Sequence, residues 1–285
     1  MPPQPLPRRR LLNRFVSLGA RARGSLAYPK EHVLWGGDRR ERLLIALLRG
    51  HYESVFRRQW TLATELPHYY DHRIGSFAFA IGSAHPYGYF RGFLATEMIR
   101  EDDVLLDIGC GDGFFAQRFF SPKCAHVDAV DIDPGAIVHA SRRNPAPNIS
   151  YFVLDAVNEP FPRERYDVTV LDGALGHLAS EASGRLFEKV TSGLAEDGVF
   201  VGSETLGVGG HDHLQHFETL ADLTALLNDH FAHVQVRSID YVVPSGARRE
   251  AFWRCANQRA RLDKAEWKEY DDRAPASAAS VTREL

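Results

Sequence analysis

The sequence predicts a doubly wound α/β fold: a mainly parallel, seven-stranded sheet covered by helices on both faces, preceded by a helical extension. Three observations predict it. From residue 99 onward, short runs of β-forming residues alternate with helical patterns. The runs are apolar on both faces, as parallel strands buried between two layers of helices must be. The last two β-rich runs read as a closing antiparallel pair.

Met1 to Pro7 is a proline-rich lead-in expected to be disordered. Arg8, Arg9, Arg10, Arg14, Arg21 and Arg23 follow, with Leu11, Leu12, Phe15 and Leu18 at roughly helical spacing. This stretch is either a solvated terminus or a short amphipathic helix that docks on the body or makes weak contact with an anionic surface. Between Arg39 and Leu66, Leu43, Leu44, Leu47, Leu48, Tyr52, Val55, Phe56 and Trp60 keep one apolar face, which predicts one or two packed helices. Pro67 to Tyr89 is dense in aromatic and histidine side chains among glycines, as in a compact packed loop or the wall of a binding cleft.

Gly92–Arg100 reads as a helix and Val104–Ile108 as the first strand. Helical Phe114–Phe120, strand His126–Ile132, helical Pro134–Arg143 and strands Ile149–Leu154 and Asp167–Leu171 come next. Helical Glu181–Ala195, strand Gly198–Gly202 and helical Leu220–Asn228 lead to the closing pair, Val234–Val243 and Ala251–Cys255. The expected organisation is a basic arm over 1–38, a helical and aromatic-rich cap over 39–98, the sheet domain over 99–256, and a C-terminal helix and disordered tail over 257–285.

Composition narrows the function classes. The 285 residues are 44% hydrophobic, 25% charged and 11% aromatic, which excludes disorder along the whole length. Cys110, Cys124 and Cys255 are odd in number and lack metal-ligand spacing, so a reducing compartment is expected and a disulfide framework is not. With no apolar run of membrane-spanning length and no signal-peptide pattern, the expected location is cytoplasmic. Net charge is −3 although the first 23 residues hold six arginines and no acid, so the remainder is acidic and poorly suited to nucleic acid.

In a doubly wound sheet the ligand lies beyond the carboxyl ends of the strands, where strand order reverses. The loop after the first strand reads Asp107-Ile108-Gly109-Cys110-Gly111-Asp112-Gly113, and its glycines remove the Cβ atoms that would hold a ligand away from backbone N–H groups. The dinucleotide pattern G-x-G-x-x-G fails because Phe114 stands where its last glycine belongs. Asp107 would repel a pyrophosphate and attract an ammonium group, so a cationic or zwitterionic ligand is expected.

Val104-Leu105-Leu106-Asp107-Ile108-Gly109-Cys110-Gly111-Asp112-Gly113 resembles the first motif of the class I S-adenosylmethionine-dependent methyltransferases. Ala129-Val130-Asp131-Ile132-Asp133, Leu154-Asp155-Ala156 with Pro160-Phe161-Pro162, and Tyr166-Asp167-Val168-Thr169-Val170-Leu171 are similar to the next three segments in order, over about residues 99 to 255. The resemblance implies a Rossmann-like sheet with an antiparallel last strand and S-adenosyl-L-methionine as cofactor. It also implies cofactor contacts from Asp107, Gly109, Gly111, Gly113 and Asp172, with Asp131 on the ribose hydroxyls and Ile132 on adenine. Asp155, with Ala156 beside it, would accept the adenine amino group, and Arg91 would hold the methionyl carboxylate.

The sulfonium is already electrophilic, so the protein must align the acceptor and, for a hydroxyl, remove a proton. His177, after the fourth strand, is one candidate base. His213 and His216, in His211-Asp212-His213-Leu214-Gln215-His216-Phe217-Glu218, are the others; His213 and His216 share one face if the segment is helical, and His211 and His213 share one if it is extended. Glu204 also points to the ligand side. The histidine spacing matches no recognised zinc motif and no metal is expected. The leading expectation is a methyltransferase acting on oxygen or nitrogen of a small polar molecule, a metabolite, sugar or natural product. The alternatives are a nucleotide-binding dehydrogenase and a nucleic-acid-associated module using the arginine arm.

Overall fold

Two apolar layers, one on each face of a single sheet, organise the computed structural model of the chain. The structure describes residues 87–207, 213–243 and 246–263, together with residues 43, 46, 47, 50, 51 and 72. The chain divides into two compact units, Met1–Glu53 and Ser54–Leu285. In the first unit the described residues are helical, but Leu43 and Leu47 are exposed where a packed apolar face is expected from the sequence. The arginine arm, the rest of Arg39–Leu66 and the tail after Asp272 lie outside the described residues.

In the second unit helix α1 (Tyr87–Thr96) leads to strand β1 (Val104–Ile108), and a turn of π-helix at Ala116–Phe120 leads to β2 (His126–Asp131). Helix α2 (Pro134–Arg143), β3 (Ile149–Val153), β4 (Tyr166–Asp172), α3 (Ser180–Gly193) and β5 (Leu194–Leu206) follow. Helix α4 (Leu220–Asn228), β6 (His233–Val243), β7 (Gly246–Ala256) and α5 (Ala260–Asp263) complete it. Helix starts follow local chemistry. Asp133 accepts the Gly135 N–H at 2.7 Å ahead of Pro134, and Thr219 with Asp222 forms a reciprocal capping box on α4.

The strand order is β3-β2-β1-β4-β5-β7-β6. Strands β3 to β5 pair in parallel, and β7 inserts antiparallel between β5 and β6. Side chains of β1 alternate between the two layers. Leu106 joins Val130, Leu171, Phe200 and Trp253 under Phe187 of α3 and Leu223 of α4. Leu105 joins Val127, Val168 and Val201 under Ala95 of α1, Ile137 of α2 and Leu262 of α5. Because the chain winds from β1 outward to β3 and then returns to β4, strand order reverses between β1 and β4.

Helix α1 runs Tyr87–Thr96 rather than Gly92–Arg100, and two strand boundaries also differ from the sequence expectation, each for a local reason. Strand β5 begins at Leu194, with Ala195 to Gly198 absorbed as an irregularity between the Tyr166–Leu194 and Val168–Val199 pairs, so its turn-like composition belongs to a bulge. Strand β7 begins at Gly246, ahead of the charged Arg248-Arg249-Glu250, because Arg249 pairs across the hairpin with Asp240 at 2.6 Å and Glu250 is buried. At the end of the sheet away from the switch point, the buried Arg261 donates to the Asp103 carboxylate and to the carbonyls of Met98, Asp167 and Asp197. Among the described residues, no helix is long and apolar enough to cross a membrane.

Gly202 sits between its strand partners Leu171 and Trp253, where an added Cβ would lie 2.0 Å from the Leu171 carbonyl oxygen and 2.2 Å from the Trp253 ring. Gly202→Ala is therefore expected to cost at least the ~1–3 kcal/mol of an overpacked core. Thermal unfolding should show Tm lowered by roughly 4 °C or more.

Candidate functional site

The carboxyl ends of β1, β2, β4 and β5 converge at the switch point. Gly109, Gly111 and Gly113 turn the chain there with φ of 71°, 54° and 71°, a region that L side chains adopt only at a cost. Most amides of the turn are engaged within the protein. The N–H groups of Gly109 and Cys110 donate to the Val130 carbonyl, that of Gly111 to Asp131 Oδ2 at 2.8 Å, that of Gly113 to the Cys110 carbonyl, and that of Phe114 to Asp112 Oδ1. With these donors consumed, the turn offers close backbone approach without an anion nest.

Carboxylates set the electrostatics. Asp107 is buried, and desolvation followed by the charges of Asp172, Asp131 and Asp112 holds its pKa well above the usual carboxylate range. Burial pushes Asp172 up to about 6, against the nearby Arg91 guanidinium and a hydrogen bond from Ser203. The Oδ2 atoms of both Asp107 and Asp172 are buried without a hydrogen-bond partner among the described residues. Asp131 is likewise raised, chiefly by desolvation, while its oxygens accept the N–H groups of Gly111 and Asp133 and keep further lone pairs for a ligand.

Beside Asp131, Ile132 is 48% exposed, an apolar side chain held open at the end of β2. Asp155 folds into its own turn: Oδ1 accepts from the N–H groups of Val157 and Asn158, and Oδ2 from the Asn158 side chain. Partial burial raises its pKa, but these bonds, with Lys189 nearby, bring it below the usual value. Ala156 is half-buried, and its carbonyl accepts from Lys189. Arg91 donates to the fully buried Glu250 at 2.9 Å, and its guanidinium fills the space that a Cβ on Gly173 would take.

The three candidate histidines come together. His177 ends a short 3₁₀ turn after β4, and its ring lies 4.6 Å edge-on from that of His213, which in turn stacks 5.9 Å from His216. The segment bearing His213 and His216 is extended rather than helical. It is clamped to the turn after β4 by the Leu214 N–H on the Gly176 carbonyl at 2.7 Å and by Gln215 on the Leu175 carbonyl and Ser183. His211 and Asp212 lie outside the described residues. No cluster of potential metal ligands occurs among the described residues.

Glu204 stands behind this arrangement. It is 2% exposed and burial pushes its pKa up to about 7, while its oxygens accept the N–H groups of Gly176 and Thr205. It braces the turn that carries His177. Sequence reasoning missed two further participants. Glu250, which accepts from Arg91 and from the Thr205 hydroxyl, lies in a charged run that gives no strand signal. Asp112 binds His72, forty residues upstream, and the only signal for that is the density of histidine and aromatic residues between Pro67 and Tyr89.

The family described as Methyltransferase domain matches residues 105–198. The eEF1A lysine and N-terminal methyltransferase of Danio rerio is 30% identical over 114 residues, which is 39% of this chain and 15% of that protein. An uncharacterized methyltransferase of Mycobacterium tuberculosis is 34% identical over 91 residues, 31% of this chain and 46% of that one. The solved N-methyltransferase NodS from Bradyrhizobium japonicum is 18% identical, with 60% of this chain and 98% of that one covered and a TM-score of 0.48. The chain thus spans less than half the length of these curated relatives.

Raising a carboxyl pKa in the folded state means that the native protein holds a proton that the unfolded chain has lost. Asp172 therefore favours folding most below its ordinary value of 3.8, and this contribution is lost as pH rises through about 6. Asp172→Asn should raise Tm at pH 8, with the gap to wild type closing by about pH 4; thermal unfolding across that range checks it.

Proposed function

We propose that the chain is a class I S-adenosylmethionine-dependent methyltransferase that transfers a methyl group to oxygen or nitrogen of a small polar acceptor, a reading supported by the match of residues 105–198 to the family described as Methyltransferase domain. The observation that carries the reading is the pair of carboxylate oxygens on Asp107 and Asp172 at the switch point, both buried and without a hydrogen-bond partner among the described residues. Such a pair suits a ligand bearing an ammonium and a sulfonium. The Asp131 carboxylate suits a diol, and the exposed Ile132 beside it suits an aromatic base. The residues present therefore fit S-adenosyl-L-methionine, with Asp107, Asp172 and Asp131 as its polar holders and the Gly109–Gly113 turn as its floor.

The bound cofactor supplies an electrophilic methyl carbon. The chain's own work is to orient the acceptor, exclude water and take up a proton. The histidine cluster after β4 supports the last of these, with His213 at its centre, adjoining both His177 and His216. Glu204 keeps the Gly176 turn under that cluster. Arg91 lies among Asp172, Glu204 and Glu250 and offsets part of their charge. The dehydrogenase reading is disfavoured because a pyrophosphate would meet carboxylates and amides already engaged. The nucleic-acid reading rests on an arginine arm outside the described residues.

Calorimetry tests the cofactor directly: wild-type protein should bind S-adenosylhomocysteine, and no binding of either cofactor form sinks the reading. Asp131→Asn should raise Kd roughly tenfold, since the neutral amide is the weaker acceptor for the ribose hydroxyls. An unchanged Kd removes Asp131 from the ribose site. For the acceptor, His213→Ala should lower kcat by roughly 10²–10⁴ with cofactor Kd held, measured as S-adenosylhomocysteine formed in the presence of a panel of amine and phenol acceptors. A rise in KM alone makes the cluster a wall of the pocket instead.

A further inference from the structure

His72 reaches into the cofactor turn from outside the matched segment. Its backbone N–H donates to Asp112 Oδ2 at 2.8 Å, and its Nδ1 lies 2.9 Å from Asp112 Oδ1. With Nδ1 as the donor, the residue grips both carboxylate oxygens as a two-pronged fork. Asp112 is almost fully buried, and Oδ1 also accepts the Phe114 N–H. The imidazole lies flat on Phe114, with ring centroids 4.8 Å apart and planes at 7°, and meets Phe115 edge-on at 4.7 Å.

Asp112 occupies the middle of the turn, between Gly111 and Gly113, both at positive φ. The Asp112 carbonyl accepts from the buried Asn144 side chain at 2.6 Å, and the Gly111 N–H is tied to Asp131. Backbone torsion in the turn is thus fixed from three sides: by β2 through Asp131, by the end of α2 through Asn144, and by His72 through the Asp112 carboxylate. The first two anchors belong to the matched segment. The third does not, and two glycines in sequence can change conformation cheaply when a side-chain anchor is lost.

We propose that His72 is a positioning residue for the cofactor, holding the Asp112 carboxylate so that the Gly111–Gly113 backbone stays in the conformation the adenosyl group must lie against. This rests on the cofactor assignment above. It separates the two ends of the crevice: Asp131 sets the turn from the sheet, and His72 sets it from the preceding part of the chain. A contact that served stability alone would have no bearing on affinity once the protein is folded.

The test measures S-adenosylhomocysteine Kd and the ligand-free Tm of the full chain for wild type, His72→Phe and His72→Asn. Phenylalanine keeps a ring on Phe114 but loses the Nδ1 donor; asparagine restores a side-chain donor without the ring. Kd should rise roughly tenfold in His72→Phe and return towards wild type in His72→Asn, with Tm of both within a few degrees of wild type. In a double-mutant cycle with Asp112→Asn, the effects on Kd should be clearly less than additive. A His72→Phe Kd equal to wild type overturns the role of His72 while leaving the cofactor assignment intact. A fall in Tm that accounts for the affinity loss, without rescue by asparagine, overturns it as well. Failure of wild-type protein to bind overturns both.

Discussion

The Asp131–Gly111 hydrogen bond is the constraint on which the rest of the site depends. It joins the end of β2 to a turn at positive φ, and it spends one lone pair of the carboxylate while leaving others for further donors. The contacts of Asp112 with Asn144, Phe114 and His72 fix the same turn from its other sides. The turn is built by hydrogen bonds that use up its amides, so its character is acidic and its complement cationic. The same glycine-rich spelling with open amides would make the opposite kind of site.

Electrostatic cost is concentrated at the switch point. Asp107, Asp131 and Asp172 are raised by desolvation, and Arg91 is placed to temper Asp172 and Glu204 rather than to neutralise all of them. Glu204 and Glu250 have their oxygens committed to backbone, arginine and hydroxyl donors, whereas Asp107 and Asp172 each keep a buried oxygen uncommitted among the described residues. Buried acids that are satisfied brace the turn after β4; those that are not mark the crevice itself.

How far the sequence could be read depended on the range of the interaction. The strands β1 to β4 and the helix α2 were legible because their apolar period and caps are local, and the glycine turn because its residues are adjacent. The first residues of β7 were not, since Arg248, Arg249 and Glu250 owe their strand conformation to partners on β6 and to Arg91. The extended path of His213 and His216 was not legible either. Three-residue spacing fits a helix, but the hydrogen bonds to Gly176, Leu175 and Ser183 come from the turn after β4 and the following helix, and they decide the backbone. His72 and Asp112 meet across forty residues, a distance over which no pattern in the sequence carries information.

The insertion of β7 between β5 and β6 has a consequence for the order in which the molecule can be made. Strand β5 has its second neighbour only when residues 246–256 are available, and β6, although synthesised earlier, reaches the sheet only through β7. The guanidinium of Arg261 then draws together carbonyls and a carboxylate from positions as early as Met98. During synthesis the five strands β3-β2-β1-β4-β5 are therefore complete while the β5 edge is still open, and closure of that edge waits on residues 246–256. That interval leaves the β5 edge open to edge-to-edge association.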